Sequence, residues 1–284
     1  MPQPIKQIKN RIRSVENTKK VTGAMQMISV AKLNRMEDRL FVLRPYCLKL
    51  TNLMHDLAAS TQGSLAEYFQ ESPGAEDIAL CLITSDSGLC GVYNQNIIRA
   101  AEEFLEKQAG QRVKLILAGQ KGLNYFKGRS IEILSSYAGL NAKYSPESFD
   151  KIIGQLSSLF LGGEARSVYL AYTYFDNSII QKATIERLLP LEPKKIKPAE
   201  YITEPDLKSM LAQLIPYYLK VKMRLVFLES FTSEHAARTV SMKTATDNAK
   251  ELLEGLVLLR NKVRQAGITQ DILELSSSVE ALRG

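Results

Sequence analysis

The feature that most constrains this chain is a heptad seam near its C-terminal end. Met242, Ala245, Ala249, Leu252, Leu256, Leu259, Val263 and Ala266 follow one another at steps of 3, 4, 3, 4, 3, 4 and 3 residues, the spacing that keeps one stripe of an α-helix turned toward a partner helix. After Gly267 the phase slips, and Ile268, Ile272, Leu275, Val279 and Leu282 resume a 4, 3, 4, 3 rhythm on a shifted stripe, as a helix does when what it faces changes. Residues 207–284 contain one proline, Pro216, so a helix from about Asp206 to Leu282 need not stop. At about 1.5 Å per residue it would be on the order of 110 Å long, far beyond what the rest of the chain can cover. Part of it has to meet something else.

A partner for the seam lies at the other end. Ile5, Ile8, Ile12 and Val15, then Leu33, Met36, Leu40 and Leu43, repeat the same spacing on either side of a stretch rich in Thr, Ser, Met and Ala. Two terminal helices joined through a globule can pair antiparallel without any crossing. Small residues at Ala24, Ser29 and Ala31, opposite Ala236, Ala237 and Ala245, would allow close approach. Twelve of the 16 glycines fall in residues 60–206, so the expected organisation is a coiled-coil helix at 1–59, a globular domain at 60–206 and a coiled-coil helix at 207–284. Charge follows that division: Lys and Arg number 11 against four acidic residues in 1–59, 15 against 18 in 60–206, and 11 against eight in 207–284. A basic helix invites a nucleic-acid or membrane-surface reading, but a solvated or partner-facing helix is the plainer and preferred account. The absence of Trp and the sparse aromatics of the first arm weaken stacking on bases.

In the middle, Asp77–Thr84 is a nearly continuous apolar run of strand length, followed by a turn, SDSGLCG, and a helical stretch near Asn94–Lys107. Val113–Leu117 repeats the arrangement with a helix around Gln120–Phe126. Ile131–Leu134, Ser167–Tyr174 and Thr184–Leu191 are further strand candidates, and Phe149–Leu161 is a further helix. Alternation of this kind predicts an α/β fold with a parallel or mixed Rossmann-like sheet, inserted between terminal helices that form an antiparallel coiled coil.

Such a sheet invites a search for a cofactor or a catalytic centre. Gly88 and Gly91 do not complete a dinucleotide-binding glycine pattern, and no phosphate-loop motif occurs. Cys90 has no histidine within 60–206 to activate it and reads as a buried thiol, while Asp86 reads as a turn cap. Cys47, Cys81 and Cys90 with His55 and His235 fit no zinc spacing and no disulfide framework. Catalytic, cofactor and metal residues are therefore all expected to be none. No run approaches 18 apolar residues, and the start MPQPIKQIKNRIR has no apolar stretch, so neither a membrane span nor a signal peptide is expected.

At IKNRIRSVENTKKVTGAMQMISVAKL (8–33), SDSGLCGVYN (85–94), YITEPD (201–206), SEHAARTVSMKTATDNA (233–249) and LRNKVRQAGITQDILEL (259–275), the sequence resembles the gamma subunits of F-type ATP synthases, in order and over essentially the whole chain. The resemblance implies an axle of two helices inside a hexamer of alpha and beta subunits. The sheet domain then forms a foot with an epsilon-type subunit on the membrane c-ring, carrying torque rather than chemistry. It further implies that Met25, Arg264, Gln265 and Thr269 face the alpha/beta hexamer and that Tyr201 and Glu204 face the c-ring and the epsilon-type subunit. No nucleic acid is implied, and the membrane is touched only through the c-ring. The implied location is the cytoplasmic face of a bacterial plasma membrane. Gly23, where a basic residue is common, and Thr203, often aromatic, depart from the usual pattern. Two other classes make separate predictions: a nucleic-acid-binding coiled-coil adaptor would bind in a salt-sensitive way through residues 1–59, and a Rossmann-type enzyme would be stabilised by a nucleotide.

Overall fold

The computed structural model describes residues 5–60, 66–72, 74–191 and 206–281. Helix α1 runs Ile5–Ser60, followed by the single turn α2 (Ala66–Phe69) and then β1 (Ile78–Ile83), α3 (Tyr93–Lys107), β2 (Val113–Ala118), α4 (Gln120–Phe126), β3 (Glu132–Tyr137), α5 (Pro146–Leu161), β4 (Ser167–Phe175), β5 (Gln181–Leu189) and α6 (Leu207–Ala281). The chain divides into two compact units, one of Met1–Ile28 with Thr239–Gly284 and the other of Ser29–Arg238. At 75 residues, α6 is about 110 Å long.

Both long helices contain a proline that does not end them. Pro45 lies within α1 and Pro216 within α6. Each is exposed, and the residues four positions earlier, Phe41 and Ala212, are exposed too. The carbonyl that proline leaves unpaired therefore faces water, which lowers the usual penalty.

In the first unit, Ile8 and Ile12 of α1 cluster with Leu256 of α6, joined by Val15, Leu253, Val257 and Val263. Further along, Thr246 donates to the hydroxyl of Thr22 at 2.8 Å. Rising numbers in α1 meet falling numbers in α6, so the pairing is antiparallel. The α6 side of the seam differs by one position from its sequence reading. Met242, Ala249 and Leu256 are buried, but Leu252 and Leu259 are 47% and 42% exposed, while Thr246, Leu253 and Arg260 are half-buried. A seam of 242, 246, 249, 253, 256, 260 and 263 has the same heptad period in the other phase, and mixing Thr and Arg with the aliphatics hid it. On α1, Ala24 and Ala31 are exposed and only Ser29 of the three small residues is buried.

In the second unit the sheet order is β3-β2-β1-β4-β5. Strands β1, β2, β3 and β4 run parallel and β5 pairs antiparallel with β4. All six residues of β1 are buried, as expected of a central strand covered on both faces. Alternation sorts them: Ala79, Cys81 and Ile83 face α1, α5 and α6, and Ile78, Leu80 and Leu82 face Ile97, Ile98 and Ala101 of α3 and Phe126 of α4. Phe149 of α5 stacks on Phe227 of α6 at 4.4 Å between ring centroids. On α1, Leu33, Met36, Leu40, Cys47, Leu50, Met54 and Leu57 are all buried, at heptad spacing with half-buried Leu43 between Leu40 and Cys47.

Candidate functional site

Two places in the molecule have side chains that its own folding explains poorly or employs unusually. The first is the end of α6. Every residue from Arg264 to Val279 is exposed, including Ile268, Ile272, Leu273, Leu275 and Val279 at 50 to 68%. This run lies beyond Val263, the last α6 member of the cluster formed with Ile8 and Ile12. Burying each of these side chains in a partner would contribute about 1 kcal/mol or more. Arg264, Gln265 and Thr269 belong to this exposed run, with the Thr269 hydroxyl donating to the Gln265 carbonyl at 3.0 Å. Met25 is half-buried on α1 in the same unit. Tyr201 and Glu204, like Thr203, lie outside the described residues.

The second place is within the sheet-bearing unit, at the carboxyl ends of the strands. The chain lays β2 and β3 on one side of β1 and β4 on the other, so the order reverses between β1 and β4, where open α/β sheets usually hold ligands. Pairing of β1 with β4 ends at Leu82 and Ala171, but β4 continues to Phe175, leaving backbone groups that need partners. Side chains from the two long helices supply them. Thr173 N–H donates to Ser230 Oγ at 3.4 Å, Ser233 Oγ donates to the Thr173 carbonyl at 3.3 Å, and Phe175 N–H donates to Glu229 Oε2 at 3.0 Å. Arg44 of α1 donates to the Phe175 carbonyl at 2.7 Å and forms a two-pronged pair with Glu229 at 2.9 and 2.8 Å. Polar side chains of α6 and α1 thus extend the sheet in place of a strand.

The adjoining turn after β1 is gripped from the same helix. Arg238 donates to the carbonyls of Ser87 and Gly88 at 3.3 and 3.2 Å and to Ser87 Oγ at 3.0 Å, and it pairs with Glu234 at 2.8 Å. In the turn, Asp86 accepts from three backbone amides, Gln120 and Gly139 at 3.0 Å and Asn141 at 2.5 Å. It is the cap expected from sequence. Gly119 stands where β2 leaves the sheet with φ +103°, and a Cβ there would lie 2.1 Å from the Thr84 carbonyl oxygen, so only glycine lets the two turns touch.

Side chains of the two long helices thus stand at the carboxyl ends of β1 and β4. Cys90 is buried and its thiol is pushed up mainly by that burial, the opposite of an activated nucleophile. His235 belongs to this same unit rather than to a separate helical arm. Burial first, then Arg238 and Lys32, hold its imidazole down at about 4, so it is neutral at pH 7. Among the described residues no group of His, Cys, Asp and Glu could hold a metal ion, and no helix is long and apolar enough to cross a membrane. The sequence reading missed Arg44, Glu229, Glu234 and Arg238. The signal was there: LVFLESFTSEHAAR (225–238) places charges inside an otherwise apolar and small-residue run, and charges on a packed face must be paired.

A family described as ATP synthase matches residues 4–282. The chain is 39% identical to the ATP synthase gamma chain of Solibacter usitatus over 280 residues, 96% of this chain and 97% of that one. It is 36% identical to the gamma chain of Flavobacterium psychrophilum, with 99% of each covered. Among solved structures, a chain of the Euglena gracilis mitochondrial ATP synthase, in an assembly of OSCP, F1 and c-ring, has the same fold with a TM-score of 0.72 at 16% identity, covering 98% of this chain and 94% of that one. A chain of the Tetrahymena thermophila mitochondrial ATP synthase central stalk and c-ring gives 0.60 at 23% identity, covering 79% of this chain and 99% of that one.

Proposed function

The chain belongs to the ATP synthase gamma family, and from that premise we propose that it is the central-stalk rotor of an F-type ATP synthase, carrying torque between a membrane c-ring and a catalytic alpha/beta hexamer during ATP synthesis coupled to proton transport. The observation that carries this reading is the run from Arg264 to Val279, which continues α6 past its α1 partner with every side chain exposed. In the rotor reading this run, with Met25, Arg264, Gln265 and Thr269, contacts the hexamer. Its aliphatic stripe and polar groups differ around the helix axis, so turning it presents different contacts to successive beta subunits and shifts each between nucleotide-binding states. Tyr201 and Glu204 contact the c-ring and the epsilon-type subunit.

The chain contributes no catalytic residue of its own in this reading; nucleotide chemistry belongs to the hexamer. Residues 1–59 and 207–284 act as the axle and 60–206 as the foot. The protein works at the cytoplasmic face of a bacterial plasma membrane, peripherally, through the c-ring. Replacing Arg264 and Gln265 together by Ala tests the hexamer contact. The chain's own stability should change by less than about 1 kcal/mol, because both side chains are exposed. Assembly with alpha and beta subunits or ATP-driven proton pumping should fall clearly. A double variant that assembles and pumps like the parent would show these residues to be solvated bystanders.

A further inference from the structure

We propose that Arg238 is a positioning residue of the rotor: its grip on the turn after β1 locks the sheet to α6, so that the helix and the sheet turn together. The inference rests on the rotor reading and adds to it the point where torque crosses from helix to sheet. The side chains of Arg238 and Glu234 are 8% and 3% exposed, far more buried than a pair that only decorates a helix surface needs to be. A guanidinium is planar and delivers several donors in fixed directions, and here they reach two consecutive carbonyls and one hydroxyl of a single turn. The gripped turn is itself a hub. Ser85 binds Asn94 of α3 through its backbone amide at 3.0 Å, the Ser85 carbonyl accepts from Lys121 of α4 at 3.0 Å, and Asp86 holds α4 and the loop at Gly139 and Asn141. A displacement of α6 at Arg238 is therefore passed to α3, α4 and the 139–141 loop at once. The extension of β4 by Glu229, Ser230 and Ser233 anchors a different strand, and Arg238 adds a directional polar tie at the β1 turn to the apolar packing of Ala79, Cys81 and Ile83 against α6.

The test uses complete ATP synthase in membrane vesicles. Arg238→Met combined with Glu234→Gln removes the grip without leaving a buried charge, and Arg238→Lys keeps the charge but cannot hold both carbonyls in one plane. With the double variant, ATP hydrolysis should stay within about twofold of the parent while proton pumping per ATP falls severalfold. Amide exchange of residues 85–91 should rise by at least about tenfold, reporting local opening of the turn. Arg238→Lys should lie between the two and keeps the test open if the double variant folds poorly. Unchanged pumping per ATP in both variants, with faster exchange in the turn, would overturn the proposal. A parent chain that never enters the complex would instead overturn the rotor reading on which it rests.

Discussion

Breaking the Arg44–Glu229 pair should be among the most damaging single changes in the sheet-bearing unit. Glu229 has a 3% exposed side chain and accepts from both prongs of Arg44 and from the Phe175 amide; Arg44, 29% exposed, also donates to the Phe175 carbonyl. Arg44→Met leaves the Glu229 carboxylate buried with one remaining amide donor. Stranding a buried charge in this way typically costs about 3 to 5 kcal/mol, and the partial exposure of Arg44 argues for the lower half of that range. At roughly 2 to 4 °C per kcal/mol for a unit of this size, the midpoint of thermal unfolding should fall by roughly 6 to 16 °C. Glu229→Gln should cost less, because an amide can still accept from Phe175. In the double variant part of the loss should return, giving a coupling of about 1 to 3 kcal/mol in a double-mutant cycle followed by circular dichroism. Arg99 and Glu103, with side chains 81% and 55% exposed, supply the control, with a coupling below about 0.5 kcal/mol. A buried pair whose coupling is no larger than that of the surface pair would refute the claim that these side chains hold β4 to the two helices.

Two further outcomes follow from the same geometry. Thr22 and Thr246, whose hydroxyls meet at 2.8 Å, should form a disulfide when both are changed to Cys, whereas Thr22→Cys with Lys262→Cys should not; the reverse result on a nonreducing gel would contradict the register. His235 is held down to about 4 by burial while an unfolded histidine titrates near 6.5. The unfolded chain therefore binds the extra proton between those values, and stability should be complete above about pH 6.5 and fall by on the order of 2 to 3 kcal/mol as pH drops to 4. His235→Gln should flatten that slope in a series of urea melts, and an unchanged slope would sink the assignment.

Much of the scaffold was legible in the sequence because its signals are periodic. The heptads of α1 and α6 and the apolar run of β1 each announce their element, and α6 spans Leu207–Ala281 against an expectation of about 206–282. The ends of β3 and β5 were less clear: β3 continues to Tyr137 and β5 starts at Gln181, since half-buried strands with Ser, Lys and Thr lack a strong pattern. The phase of the α6 seam was misread because Thr246 and Arg260 occupy half-buried positions that a search for aliphatics passes over. The sheet-to-helix joint was invisible for a different reason. Arg44 and Glu229 are 185 residues apart, and only the early end of β1 against β4 creates the unpaired backbone that they and the serines of α6 satisfy.

Rotation is the most direct test of the central claim. The native thiols are poor labelling sites: all three are buried and burial pushes Cys81 up to about 12. Arg99→Cys, on the exposed side of α3, can carry a visible probe once the chain is assembled with alpha and beta subunits fixed to a surface. On adding ATP, the account predicts that the probe turns persistently in one direction, pausing as it meets successive beta subunits. Sustained ATP hydrolysis by a complex that demonstrably contains the chain, with the probe stationary or diffusing without direction, would contradict it.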